Sequence, residues 1–116
     1  MRYDPATLAR RLVDLLSEKQ ASDIVLLDIS PVATFADYFL IATGDSKRQI
    51  EAILAALEEE LDREDLVPVG REGEPESGWV LLDLGDIVIH IFGPEERSYY
   101  DLEGLWHRAR PVVRVQ

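Results

Sequence analysis

Trp79-Val80-Leu81-Leu82-Asp83-Leu84-Gly85-Asp86-Ile87-Val88-Ile89-His90-Ile91-Phe92 reads as a β-hairpin. Two apolar, β-branched runs flank Gly85-Asp86, a pair suited to a tight turn. A two-residue loop sets Leu84 opposite Ile87, Leu82 opposite Ile89 and Val80 opposite Ile91. These pairs are apolar and share one face. The other face carries Trp79, Leu81, Asp83, Val88, His90 and Phe92, which mixes large aromatics with polar groups. Strand side chains alternate with a period of two, so a one-residue slip would exchange the faces.

Upstream of the hairpin, residues 70–78 are glycine-rich and charged, and the expectation is a mobile loop. Val67-Pro68-Val69 suits a short edge strand, where proline's missing N–H does least harm. Before it, Ser46 and Gln49 stand at capping-box spacing, with Asp45 a rival cap. Ile50, Ile53, Leu54, Leu57 and Leu61 then form an apolar helical stripe. Glu58, Glu59 and Glu60 fall late in this helix, where its dipole disfavours anions, so packing must outweigh them. Tyr38 to Thr43 and Ile24 to Ile29 read as buried strands, the latter ended by Ser30-Pro31. Asp4-Pro5 opens a first helix, an N-cap followed by proline, with Leu8, Leu12, Leu15 and Leu16 on one side and an end near Lys19. Downstream, a short helix is expected around Tyr100 to Arg108.

No linker or repeat divides residues 1–116, so one domain is expected. The order predicts an α/β or α+β fold with a mixed sheet of four to five strands. The two long helices would cover one face and leave the second face of the hairpin open.

Composition narrows the function. The chain has 116 residues, 47% hydrophobic, enough for one core. It has no cysteine, hence no disulfide, thiolate nucleophile or zinc knuckle. No apolar run is long enough to span a membrane, and the first residues lack a signal-peptide pattern, which fits a cytoplasmic setting. Twelve Lys+Arg against 23 Asp+Glu leave a net charge of −11. That balance opposes nucleic acid as the main contact and opposes an anionic membrane. It suits either a basic protein partner or plain solubility.

Four blocks carry a family resemblance: Ala21-Ser22-Asp23-Ile24-Val25-Leu26-Leu27-Asp28, Ala36-Asp37-Tyr38-Phe39-Leu40-Ile41-Ala42-Thr43-Gly44-Asp45-Ser46, the hairpin Trp79 to Phe92, and Arg97-Ser98-Tyr99-Tyr100-Asp101-Leu102-Glu103-Gly104-Leu105-Trp106. In this order they resemble the ribosomal silencing factor family, also called Iojap-related. Gly104 inside the closing helix is a mild departure. The resemblance implies a nucleotidyltransferase-like fold without the catalytic set. It also implies binding to the large-subunit ribosomal protein numbered fourteen, at the subunit interface. Occupying that surface would block small-subunit joining and repress translation when nutrients are scarce.

The candidate partner-binding residues are Trp79, Leu81, Asp83, His90, Phe92, Tyr100 and Asp101. Trp79, Leu81 and Phe92 would give apolar contact, with Trp79 the anchor or else a core residue beneath the 70–78 loop. Asp83 would meet Lys or Arg of the partner. A lone histidine is a poor metal ligand, so His90 reads as structural or interfacial. His107 reads as solvated. Tyr100 and Asp101 would extend the face, or Asp101 would cap the last helix. Arg97 would pair with Asp83 or Asp86.

No cofactor and no metal site are expected. The competing readings are a metal-dependent nucleotidyltransferase using Asp83, Asp86 and the Gly44-Asp45-Ser46 loop, and a homodimer formed by the open sheet face.

Overall fold

The computed structural model describes residues 4–116. Helix α1 spans Pro5–Glu18, and the Asp4 carboxylate accepts from the Thr7 backbone N–H (3.2 Å) and hydroxyl (2.7 Å). Strand β1 (Ser22–Asp28) and strand β2 (Tyr38–Thr43) follow, then helix α2 (Lys47–Arg63). Ser46 Oγ caps α2 by accepting from Gln49 N–H. Gln49 Oε1 reaches back to the N–H of Asp45, one residue before the cap, and its Nε2 donates to Gln20 O at 2.8 Å. One side chain thus ties the start of α2 to the end of α1.

Strand β3 is Gly70–Glu72, followed by a short 3-10 turn at Pro75–Ser77. Strands β4 (Trp79–Asp83) and β5 (Ile87–Phe92) form the hairpin. Its register pairs Val80 with Ile91 and Leu82 with Ile89, and Leu84 N–H donates to Ile87 O, as the alternation requires. Helices α3 (Pro94–Tyr100) and α4 (Leu102–Leu105) lead to strand β6 (Arg110–Val115).

Among the described residues, six strands form one mixed sheet in the order β3-β4-β5-β2-β1-β6, one strand more than the upper expectation. Strands β2 and β5 run parallel; the other pairings among the described residues are antiparallel. Parallel pairing needs a long crossover, supplied by α2 and the chain through β4. Helices α1 and α2 cover one face. Leu8, Leu12, Leu16, Ile53 and Leu57 pack there on Ile24, Leu40, Val80, Leu82 and Ile89. The glutamates late in α2 are partly offset by cations: Arg63 bonds Glu60 at 2.6 Å, and Arg11 of α1 lies 3.8 Å from Glu60 and bonds Glu64 just past the helix end.

Several expectations are corrected. The second sheet face is not open. Val88, His90 and Phe92 are buried with Val25, Leu27, Ile29, Phe39 and Leu102 in a second core. Its cover is short helices, because Gly93-Pro94-Glu95-Glu96 starts a helix well before Tyr100, with proline at its first position and acids in its first turn. Asp101, at φ 46°, breaks the helix into two, and its side chain caps α4. The edge strand pairs at Gly70–Glu72, not at Val67-Pro68-Val69; Val67 and Val69 are 88% and 74% exposed. Residues 70–78 therefore hold a strand and a turn where a loop was expected. Strand β6 lacks a legible signal, since Pro111 and the charged Arg110 and Arg114 mask a half-exposed edge.

Arg97 pairs with neither Asp83 nor Asp86. Its guanidinium, mostly buried, donates to Thr43 Oγ1 (2.7 Å) and to both Glu103 carboxylate oxygens, pinning α3 and α4 to the end of β2. Burial raises the Glu103 pKa, but the Arg97 hydrogen bond and charge more than offset this, so it lies below the ordinary value.

Truncating Leu57, fully buried in the helix seam, should cost about 2–5 kcal/mol in urea unfolding. Truncating Leu105, 72% exposed, should cost under about 0.5 kcal/mol. Equal losses would contradict this placement of the core.

Candidate functional site

The second face carries a continuous belt of rings. It runs from Phe35 to Trp106 (5.9 Å between centroids), Phe39 (5.2 Å), His90 (4.7 Å), Trp79 (6.0 Å), Tyr100 (4.4 Å) and Tyr99 (5.1 Å). Its middle is buried and its ends are exposed: Phe35 at 60% and Tyr99 at 82%. The period of two in β4 and β5 puts Trp79, Leu81, His90 and Phe92 on this side; α3 brings the two tyrosines.

The sequence-named residues separate into two layers. Trp79, Leu81 and Asp83 are half-buried, and Tyr100 is exposed. Phe92 and His90 lie beneath them, with Phe92 fully buried. Phe92 therefore supports Trp79 and Tyr100 from below, at 5.0 and 6.1 Å, and offers no surface of its own. Asp83 Oδ1 accepts from Gly85 N–H at 2.8 Å, an Asx turn that closes the hairpin. Asp101 is exposed and occupied as the α4 cap. Four residues of this surface were not read from the sequence: Glu72, Tyr99, Phe35 and Trp106. Glu72 was hidden by the misplaced edge strand, and the rings by the assumption of an open face.

His90 orders the belt. Trp79 Nε1–H donates to His90 Nδ1 at 3.2 Å. Nδ1 therefore carries no proton, and the ring proton sits on Nε2. Nε2 is buried and, among the described residues, has no hydrogen-bond partner. Burial pushes the His90 pKa down to about 4, so the ring is neutral.

The catalytic reading meets a geometric obstacle. Gly44 N–H bonds Phe92 O, at one end of the parallel pair, while Asp37 and Tyr38 N–H bond Asp86 O, at the other. The phosphate-loop candidate and the two aspartates are thus a strand length apart, roughly 15–20 Å. That is too far for one metal to bridge a carboxylate and a bound phosphate. Among the described residues, no three His, Cys, Asp or Glu converge as metal ligands.

Fold and site together define a small α+β domain with a mixed open sheet, double helical cover and a ring belt reaching the surface. The chain belongs to the family of ribosomal silencing factors acting during starvation, whose model matches residues 3–116. It is 45% identical to ribosomal silencing factor RsfS of Bacillus subtilis over 92 residues, 79% of this chain and 78% of that protein. It is 37% identical to the namesake of Halalkalibacterium halodurans, covering 94% and 92%. A crystal structure of a Chromobacterium violaceum protein superposes with a TM-score of 0.85 at 33% identity, covering 90% and 88%. The family description sets the general function as regulatory, in ribosome silencing and translation repression. No helix among the described residues is long and apolar enough to cross a membrane.

His90 makes a pH prediction. Below its ordinary value of 6.5 and above about 4, the unfolded chain binds a proton that the folded chain does not. Stability therefore rises with pH through that window and falls on acidification. From about pH 6.5 to about pH 5 this group should cost roughly 1.5 kcal/mol. Urea unfolding at both pH values should show that loss in the wild type and a loss smaller by this amount in His90→Phe. Equal pH dependence in the two would mean the imidazole is not the neutral buried group described.

Proposed function

We propose that this protein acts in the cytoplasm and binds a basic large-subunit ribosomal protein at the subunit interface, the one numbered fourteen, sterically blocking small-subunit joining. One observation carries the reading: Trp79, Leu81 and Tyr100 form an apolar surface on a rigid sheet, with the exposed Tyr99 beside them. Such anchors, held from below by a packed core, lose little entropy on binding.

The rim is acidic. Glu95 and Glu96, with Tyr99 and Tyr100, line an open cleft of about 640 Å³ between the 3-10 turn and α3. A net charge of −11 steers the molecule toward a cationic partner, and rim charges act mainly on the association rate. Size supplies the exclusion. The chain measures 33 × 33 × 24 Å, whereas surfaces that join must come within atomic contact. A body of this size on either one keeps them apart without any chemistry.

Co-sedimentation with isolated ribosomal subunits tests this. The wild type should pellet with large subunits, not small ones, and reduce joining when small subunits are added. Tyr100→Ala should weaken binding by roughly five- to thirtyfold, the range of an interface anchor, and Leu81→Arg should weaken it further by repelling a basic partner. Pelleting of both folded variants like the wild type would remove this surface from the interface. Failure of the wild type to pellet would remove the partner.

A further inference from the structure

We propose that the slot bordered by Glu72, Gly73, Trp79 and Leu81 is a subsite for a single arginine side chain of the protein partner. It rests on the reading of a basic protein partner and names a chemical feature of that partner.

The slot follows from the register of the sheet edge. Glu72 pairs with Leu81 across β3 and β4, so both side chains stand on the second face. Trp79 lies two residues before Leu81 on the same strand and therefore on the same face. Arg71 points the other way and bonds Glu58 of α2 at 2.6 Å. The four residues enclose about 220 Å³. Gly73 shapes its inner end. At φ 85° it brings the chain so close to Trp79 that a Cβ would stand 2.0 Å from the Trp79 carbonyl oxygen.

The chemistry of this slot matches a guanidinium. Glu72 is exposed and, among the described residues, has no cation paired with it; neighbouring Glu58 and Glu76 are paired with Arg71 and Lys47. The Trp79 N–H is already used internally by His90. What Trp79 offers outward is therefore hydrocarbon and π surface, which attracts a cation but gives no hydrogen bond to an acceptor. Leu81 offers an apolar wall for an aliphatic stem. A planar guanidinium stacks on an aromatic face while its fork reaches a carboxylate, which a compact ammonium does less well. Asp83, further along the strand, has one carboxylate oxygen committed to Gly85, so Glu72 is the carboxylate placed for this task.

The test needs no ribosome. Backbone amide NMR shifts of the full chain are followed at low salt during titration with N-acetyl-arginine amide. The lysine and glutamine analogues serve as comparisons. Gly73 and Leu81 signals should move saturably with arginine, less with lysine and least with glutamine. Glu72→Gln should weaken the arginine effect by about two- to fivefold, the worth of an exposed ion pair. Arginine and glutamine analogues giving equal shifts, or Glu72→Gln leaving the arginine titration unchanged, would overturn the subsite. Because the readout is on the free protein, that failure is separable from failure to bind large subunits.

Discussion

The structure depends on the parallel pairing of β2 with β5 at the centre of the sheet. Every residue of β5 is buried, and all of β2 except Tyr38. A strand pair apolar on both sides must be covered on both sides, because neither face tolerates water. Sequence distance makes this pairing slow to close and topologically decisive. Once it forms, the hairpin partner β4 and the antiparallel β1 have only one place each to pair, and α2 is carried across the face that α1 also occupies.

The two covers differ in kind. Helices α1 and α2 bring long leucine and isoleucine stripes, a thick layer that needs little polar help. The second cover is two helices of seven and four residues. Neither is long enough to be stable alone. They are held by rings packed on rings and by Arg97, whose donors link α3, α4 and β2. A thin cover cannot hide the whole face, and the uncovered part, Trp79 with Leu81 and Tyr100, is the candidate site. The surface of interest is thus the remainder of an incompletely buried sheet, made rigid by the buried His90 and Phe92 beneath it.

Charge is arranged with similar economy. The acids late in α2 oppose the helix dipole, and Arg11 and Arg63 compensate in part. The pairs at Glu58, Glu76 and Glu103 tie neighbouring elements together. Exposed pairs of this sort contribute little to stability individually. The remaining acids leave the molecule strongly negative, a property of association more than of folding.

What the sequence determined by itself was local and periodic. The cap at Asp4, the leucine stripes and the register of Trp79 to Phe92 follow from spacing alone, because each is set within a few residues, whereas the structure chose Ser46 over Asp45 as the α2 cap. Family membership was also legible, since its blocks are spread along the chain. Tertiary structure decided what spacing cannot express. Val67 and Val69 look like a strand, yet the ladder forms at Gly70–Glu72, because Asp83 must pair opposite Gly70. Arg110 to Val115 joins the sheet only because β1 presents a free edge there. The second face was covered because buried strands require it, and only the fold shows which residues do so. The division of Trp79, Leu81 and Tyr100 from His90 and Phe92 has the same cause: alternation assigns a side chain to a face, but the packing of distant elements decides whether that face meets water.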